Sequence, residues 1–122
     1  MPRPTRVDIP DISVAAGIFS PEQAARGEQV FSANCSGCHA SGNYAGQAFQ
    51  AKWGGFTLGD IYSDISVSMP PANPGGLPPE DYSSIIAFLL RETGYSNAAS
   101  AQLPADGFQL RRFVIDVPGL NY

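Results

Sequence analysis

The two cysteines and the single histidine of this chain stand together as Cys35-Ser36-Gly37-Cys38-His39. The spacing C-x-x-C-H is the attachment signal for c-type haem. Two thiols three positions apart can each form a thioether with one vinyl group of a single porphyrin, and the imidazole that follows is delivered to the iron on one face. Other readings of these residues lack support. A structural zinc site needs four ligands, and the chain has no second cysteine pair and no second histidine. A thioredoxin-like C-x-x-C needs a strand-helix-strand context that the flanking sequence does not show. A plain disulfide in an exported protein is the remaining structural alternative. The expected cofactor is therefore one haem c, attached covalently through Cys35 and Cys38, with His39 on the iron.

This motif sets how the remaining residues can fold. A chain of 122 residues fits one domain, and a porphyrin supplies apolar core that side chains need not. Eleven prolines and thirteen glycines predict many turns, as expected of loops wrapped around a flat cofactor. Eleven acids against one lysine and six arginines leave a net charge of −4. That balance argues against nucleic acid or an anionic membrane as partner. The longest strongly apolar run, Ile85 to Leu90, is far too short to span a bilayer. Covalent haem attachment is completed outside the cytoplasm, so the chain is expected to be a periplasmic protein whose export signal has been removed.

Three helical segments are predicted. The first opens at Ser20-Pro21-Glu22-Gln23, with Ser20 as cap, Pro21 at the first helical position and Gln23 closing a capping box, and runs to about Ala33. The second starts after Thr57, where Thr57 and Asp60 repeat the capping pattern and Leu58, Ile61, Tyr62 and Ile65 give one apolar face. It should stop before Met69-Pro70-Pro71, because a residue preceding proline is pushed out of helical geometry. The third begins at Pro78-Pro79-Glu80-Asp81 and ends near Thr93-Gly94, a glycine stop. The core is expected over residues 20–94. Residues 1–19 and 95–122 read as extended arms packed on it, with Phe113-Val114-Ile115 suited to a short strand pairing.

The second axial ligand decides the chemistry. Apart from Met1 the chain has one methionine, Met69, followed by two prolines that stiffen its loop. A lone methionine is usually core filler, but with haem bound and no other histidine or cysteine available, Met69 is the expected distal ligand. Lys52, Tyr44 and an open or water-bound iron are the alternatives. A neutral thioether raises the reduction potential. With both axial positions filled, oxygen has no free site and electron gain or loss needs little rearrangement.

This pattern resembles the class I cytochromes c. The residues that carry the resemblance are Gly27 and Phe31 in the first helix, Cys35 to His39, Met69-Pro70, and the final helix reading Ile85-Ile86-Ala87-Phe88-Leu89. It implies an all-α fold in which three main helices surround one haem, with Gly27 permitting close approach of the first and last helices and Phe88 filling their crossing. More narrowly, Trp53…Leu58-Gly59-Asp60-Ile61-Tyr62…Met69-Pro70-Pro71…Gly75-Gly76-Leu77 and the tail Leu103-Pro104-Ala105-Asp106 are similar to cytochrome c domains that accompany PQQ-dependent dehydrogenases. That narrower resemblance implies a quinoprotein as electron donor. Many class I cytochromes place a proline between the haem motif and the methionine loop, whose carbonyl orients the proximal histidine. No proline lies between His39 and Pro70 here, so a carbonyl within residues 42–48 is the expected substitute.

The resemblance also implies that the Trp53 indole donates to a haem propionate; the residue alone reads equally well as a core aromatic against the porphyrin. Tyr44, Tyr62 and Arg91 are lesser propionate candidates. The acids Glu22, Glu28, Asp60, Asp64, Glu80 and Asp81 read as helix-start or exposed-face residues, not as a catalytic pair. The haem edge is expected to be framed by Ser36, Gly37, Ala40, Pro70, Pro71 and Ala72, a weakly charged rim for transient docking. The expected function is one-electron transfer, not catalysis, between a periplasmic dehydrogenase and an oxidase or cytochrome acceptor. An electron-relay unit of a larger enzyme, or a sensor or peroxidase-like protein with a displaceable distal ligand, is the competing expectation.

Overall fold

The computed structural model describes residues 12–34, 45–70 and 73–117. Four α-helices carry the architecture: α1 (Pro21–Asn34), α2 (Gln47–Trp53), α3 (Leu58–Ser68) and α4 (Pro79–Thr93). Two short strands, β1 (Ile12–Ser13) and β2 (Phe113–Val114), pair in parallel, Ile12 with Phe113 and Ser13 with Val114. Among the described residues no helix is long and apolar enough to cross a membrane.

The helix ends follow local chemistry. Ser20 Oγ accepts the Gln23 N–H at 3.0 Å, so the predicted cap of α1 forms. The second half of the expected capping box does not. Gln23 is buried, and its amide turns away to the C-terminal arm: Nε2 donates to the Leu103 carbonyl at 3.2 Å and Oε1 accepts the Leu103 N–H at 2.9 Å. A buried backbone segment with no strand partner needs both groups satisfied, and that demand outranks a solvent-side cap. At α3 the box is complete: Thr57 Oγ1 accepts from Asp60 N–H at 3.3 Å and the Asp60 carboxylate accepts from Thr57 N–H at 2.9 Å. Helix α4 starts with Pro79, Glu80 and Asp81 in its first turn. It ends at Gly94, whose φ of +105° lets its N–H reach Arg91 O while Tyr95 N–H reaches Leu90 O.

Helix α2 is a fourth helix that the sequence pattern does not announce. It is seven residues long, lacks a side-chain cap and is bounded by Gly46 and Gly54. Its apolar signal is only Phe49 and Trp53, one turn apart, with Phe49 buried. Tertiary burial of Phe49, not periodicity, selects the helix.

The dominant packing is α1 across α4. A Cβ on Gly27 would interpenetrate the Ser84 carbonyl and lie 2.9 Å from Phe88 Cβ, so only glycine admits this approach. Just beyond, the Phe31 and Phe88 rings meet at 5.4 Å between centroids and 51° between planes. Ser20, Gln23, Ser83 and Ser84 are the buried polar residues beside this core, and Ser83 Oγ donates to Pro104 O at 2.7 Å.

The C-terminal arm closes the other side. Ile115 exchanges backbone hydrogen bonds with the α2–α3 connection, its N–H reaching Phe56 O at 2.8 Å and its carbonyl accepting from Gly55 N–H at 2.9 Å. A Cβ on Gly59 would strike Arg111 and the Gly107 carbonyl, so α3 and the arm also touch through a glycine. The outcome is a helical body on which β1 and β2 pair with each other and Val114 bridges to Thr57 at the start of α3.

Candidate functional site

Each segment expected to carry an iron ligand begins where a helix stops. Helix α1 ends at Asn34, the residue before Cys35. Cys35, Cys38, His39 and Tyr44 lie outside the described residues, as do Ser36, Gly37, Ala40, Pro71 and Ala72 of the expected rim. Helix α3 ends at Ser68, and Met69 is its extended C-cap, with φ −126° and ψ 142°.

The backbone of Met69 is held on both sides. Its N–H donates to Ile65 O at 2.8 Å, the last helical bond of α3. Its carbonyl accepts from the Tyr82 hydroxyl at 2.7 Å and, more weakly, from Gly75 N–H at 3.4 Å. The Met69–Pro70 peptide bond is cis. Beyond it the chain folds back through tight turns, Asn73 N–H to Pro70 O and Gly76 N–H to Asn73 O, both at 2.9 Å. Gly75, with φ +74°, supplies the left-handed residue these turns require. The Tyr82 hydroxyl also accepts from Leu77 N–H at 3.4 Å, so one phenol from α4 touches both ends of the loop.

A second hydroxyl of α4 holds the other connection. Thr93 Oγ1 accepts the Gly46 N–H at 3.0 Å while donating to Leu89 O at 2.6 Å. Ala45 beside it is buried. Residues 45–48 belong to the stretch expected to orient His39. Tyr82 and Thr93 are eleven positions apart in one helix. That is close to three turns, so both lie on one face of α4, about 16 Å apart along its axis. Helix α4 thus fixes the spacing between the segment leading out of the haem motif and the segment carrying Met69.

The remaining candidates fall into place around this frame. Trp53 is half-buried at the end of α2, its ring edge-on to Phe56 (5.8 Å, 85°) and covered by the Lys52 ammonium at 5.1 Å. Tyr62 packs edge-to-face on Tyr82 (5.7 Å, 66°), and burial pushes its phenol pKa upward. Arg91 sits between Glu28 of α1 (2.7 Å) and Glu92 (3.2 Å), over the Phe88 ring. The Glu28 hydrogen bond ties the guanidinium across the α1–α4 crossing and raises its pKa. Arg26 pairs with Asp81 at 2.8 Å across the same helix pair. Among the described residues, no group of three histidine, cysteine, aspartate or glutamate side chains could hold a metal ion.

A family model described as cytochrome c oxidase, cbb3-type, subunit III matches residues 22–89, more than half of the chain. The chain belongs to this family. Neither the curated proteins nor the solved structures give a match. The protein is therefore a c-type cytochrome of the all-α class I fold. Its cofactor is covalently bound haem c, its role is electron transfer with redox partners, and cytochrome domains of this type are typically exported.

The described residues fit such a group. Met69 would offer a neutral thioether to it, from a backbone held at its N–H and carbonyl. Val30, Trp53, Ile65 and Leu77, from α1, α2, α3 and the methionine loop, are partly buried apolar side chains at the edge of the core. Sequence reasoning did not find the anchoring roles of Tyr82 and Thr93. The available signal is faint: a polar atom at each end of a helix whose other eight buried positions are mostly apolar.

Proposed function

We propose that this cytochrome is a periplasmic one-electron carrier in which Cys35 and Cys38 attach the haem and His39 and Met69 are its axial ligands. When bound, the haem supplies a single reversible iron-centred electron. The chain's own residues hold the two ligand segments at fixed spacing and exclude water from the iron. The observation that carries this reading is the anchoring of Met69: its amide and carbonyl are both hydrogen-bonded, so the thioether is presented from a loop that need not move between oxidation states. Trp53 and Tyr44 are the proposed partners of the haem propionates. We further propose that residues 1–122 form a single domain, with its core over 20–94 and arms over 1–19 and 95–122.

The proposed donor is a periplasmic dehydrogenase of the quinoprotein class, and the acceptor a terminal oxidase or another cytochrome. Support for the donor comes from the likeness of the segment from Trp53 to Leu77 to cytochromes that accompany such enzymes. Docking would use the weakly charged rim at the haem edge, of which Pro70 is half-buried. The family match favours a second reading, an electron-relay subunit within a larger redox complex, because the family's description names an oxidase subunit.

Met69→Ala tests the ligand set. The expected result is loss of the methionine–iron charge-transfer band, prompt carbon monoxide binding to the ferrous protein and a lower potential. An unaltered spectrum and potential would refute the assignment. Native pull-down followed by electron-transfer kinetics separates the two partner readings: a stoichiometric oxidase assembly supports the relay, and turnover with a free dehydrogenase supports the carrier.

A further inference from the structure

We propose that Tyr82 is a positioning residue for the distal ligand, setting how firmly Met69 holds the iron. This rests on the reading of Met69 as that ligand. The hydroxyl is the only side-chain group among the described residues seen to bond the Met69 backbone, and its 2.7 Å distance is that of a well-formed O–H···O bond. A phenol both donates and accepts, and Tyr82 uses both capacities, giving its proton to Met69 O and taking one from Leu77 N–H. Among the described residues of the loop it closes, Asn73, Pro74, Gly75 and Gly76 are all exposed. The anchor is rigid. Tyr82 is 2% exposed, lies in the first turn and a half of α4, and has Tyr62 against its ring.

A thioether is a weak neutral ligand, so its hold on iron depends on how often the loop presents it. Anchoring the first residue of the loop raises the effective local concentration of the sulfur. An external ligand must displace that sulfur, and its apparent affinity rises in proportion as the loop is loosened. Tyr82→Phe keeps the ring and its packing and deletes only the hydroxyl. Losing one such hydrogen bond should tighten apparent imidazole binding to the ferric holoprotein by roughly five- to tenfold.

The test is an imidazole titration of wild-type, Tyr82→Phe, Tyr62→Phe and Met69→Ala ferric holoproteins, followed by loss of the methionine–iron charge-transfer band, or by the Soret shift where that band is missing. Far-UV unfolding curves of each variant establish that the fold is kept. The expected order has Tyr82→Phe between wild type and Met69→Ala, with Tyr62→Phe at wild type. Wild-type affinity in Tyr82→Phe overturns the proposal while leaving the ligand assignment intact. An equal shift in Tyr62→Phe also overturns it, since removing a neighbouring phenol hydroxyl would then act as strongly as removing the one that holds the Met69 carbonyl. A charge-transfer band that survives Met69→Ala overturns the ligand assignment itself, and the proposal with it.

Discussion

Replacing Gly27 with alanine should destabilise the protein, although the change improves helix propensity. In an exposed helix interior the substitution gains about 1 kcal/mol. At Gly27 the added methyl would occupy the space of the Ser84 carbonyl and press on Phe88 Cβ at 2.9 Å. The obstacle is backbone and cannot rotate away, so α1 and α4 must separate. A radial gap of 0.5–1 Å already forfeits roughly a quarter to a half of the dispersion energy at each contact. Overpacking of this kind costs about 1–3 kcal/mol or somewhat more. The Phe31–Phe88 pair at 5.4 Å would open as well, at a further cost of roughly 0.5–1.5 kcal/mol. Set against the propensity gain, the net loss is about 0.5–3.5 kcal/mol. Guanidinium unfolding of the holoprotein, followed by far-UV circular dichroism, should show the midpoint falling by roughly 0.1–0.9 M at unchanged slope. Gln29→Ala, at an exposed position of the same helix, should stay within about 0.5 kcal/mol of wild type. A Gly27→Ala protein as stable as wild type, or more so, would show that the crossing has room and would refute the close-approach argument.

Gln23→Ala removes both partners of the Leu103 backbone, leaving a buried donor and acceptor unpaired. The expected loss is about 2–3 kcal/mol, with faster hydrogen exchange at the Leu103 amide than at amides of α4; unchanged protection at Leu103 would count against it. Burial raises the Tyr62 pKa above its ordinary value of 10.0. As pH rises past that point the unfolded chain loses its proton first and binds fewer protons than the native state, so stability falls with pH. Tyr62→Phe should flatten that alkaline decline in denaturant titrations, and an identical slope in the variant would exclude Tyr62 as its source.

Three helices were legible because their signals are local. Thr57 with Asp60, Pro79 with Glu80 and Asp81, and Gly94 act within one turn of the helix end they define. Gly27 was legible only through family resemblance, since glycine in a helix says that something is close but not what. Helix α2 was not legible: its two apolar residues do not establish a period, and its flanking glycines suggest a loop. Gln23 misled because a capping box and a long-range amide clamp use the same side chain. Its choice between Ser20 and Leu103 depends on a segment 80 residues away. The narrower resemblance carried by Gly59, Asp60 and Tyr62 now has local explanations: contact with the C-terminal arm, the α3 cap and support of the Tyr82 ring.

By itself, the sequence determined the identity of the cofactor and the places where α1, α3 and α4 begin and end. Both are written in residues within a few positions of each other, where covalent spacing and backbone geometry leave little choice. Tertiary structure alone decided which polar groups meet across the chain: Tyr82 with Met69, Thr93 with Gly46, Gln23 with Leu103, and Ile12 with Phe113. A hydroxyl or amide carries no address. Its partner is chosen when burial of the apolar faces brings distant backbone groups out of water and each must find a hydrogen bond.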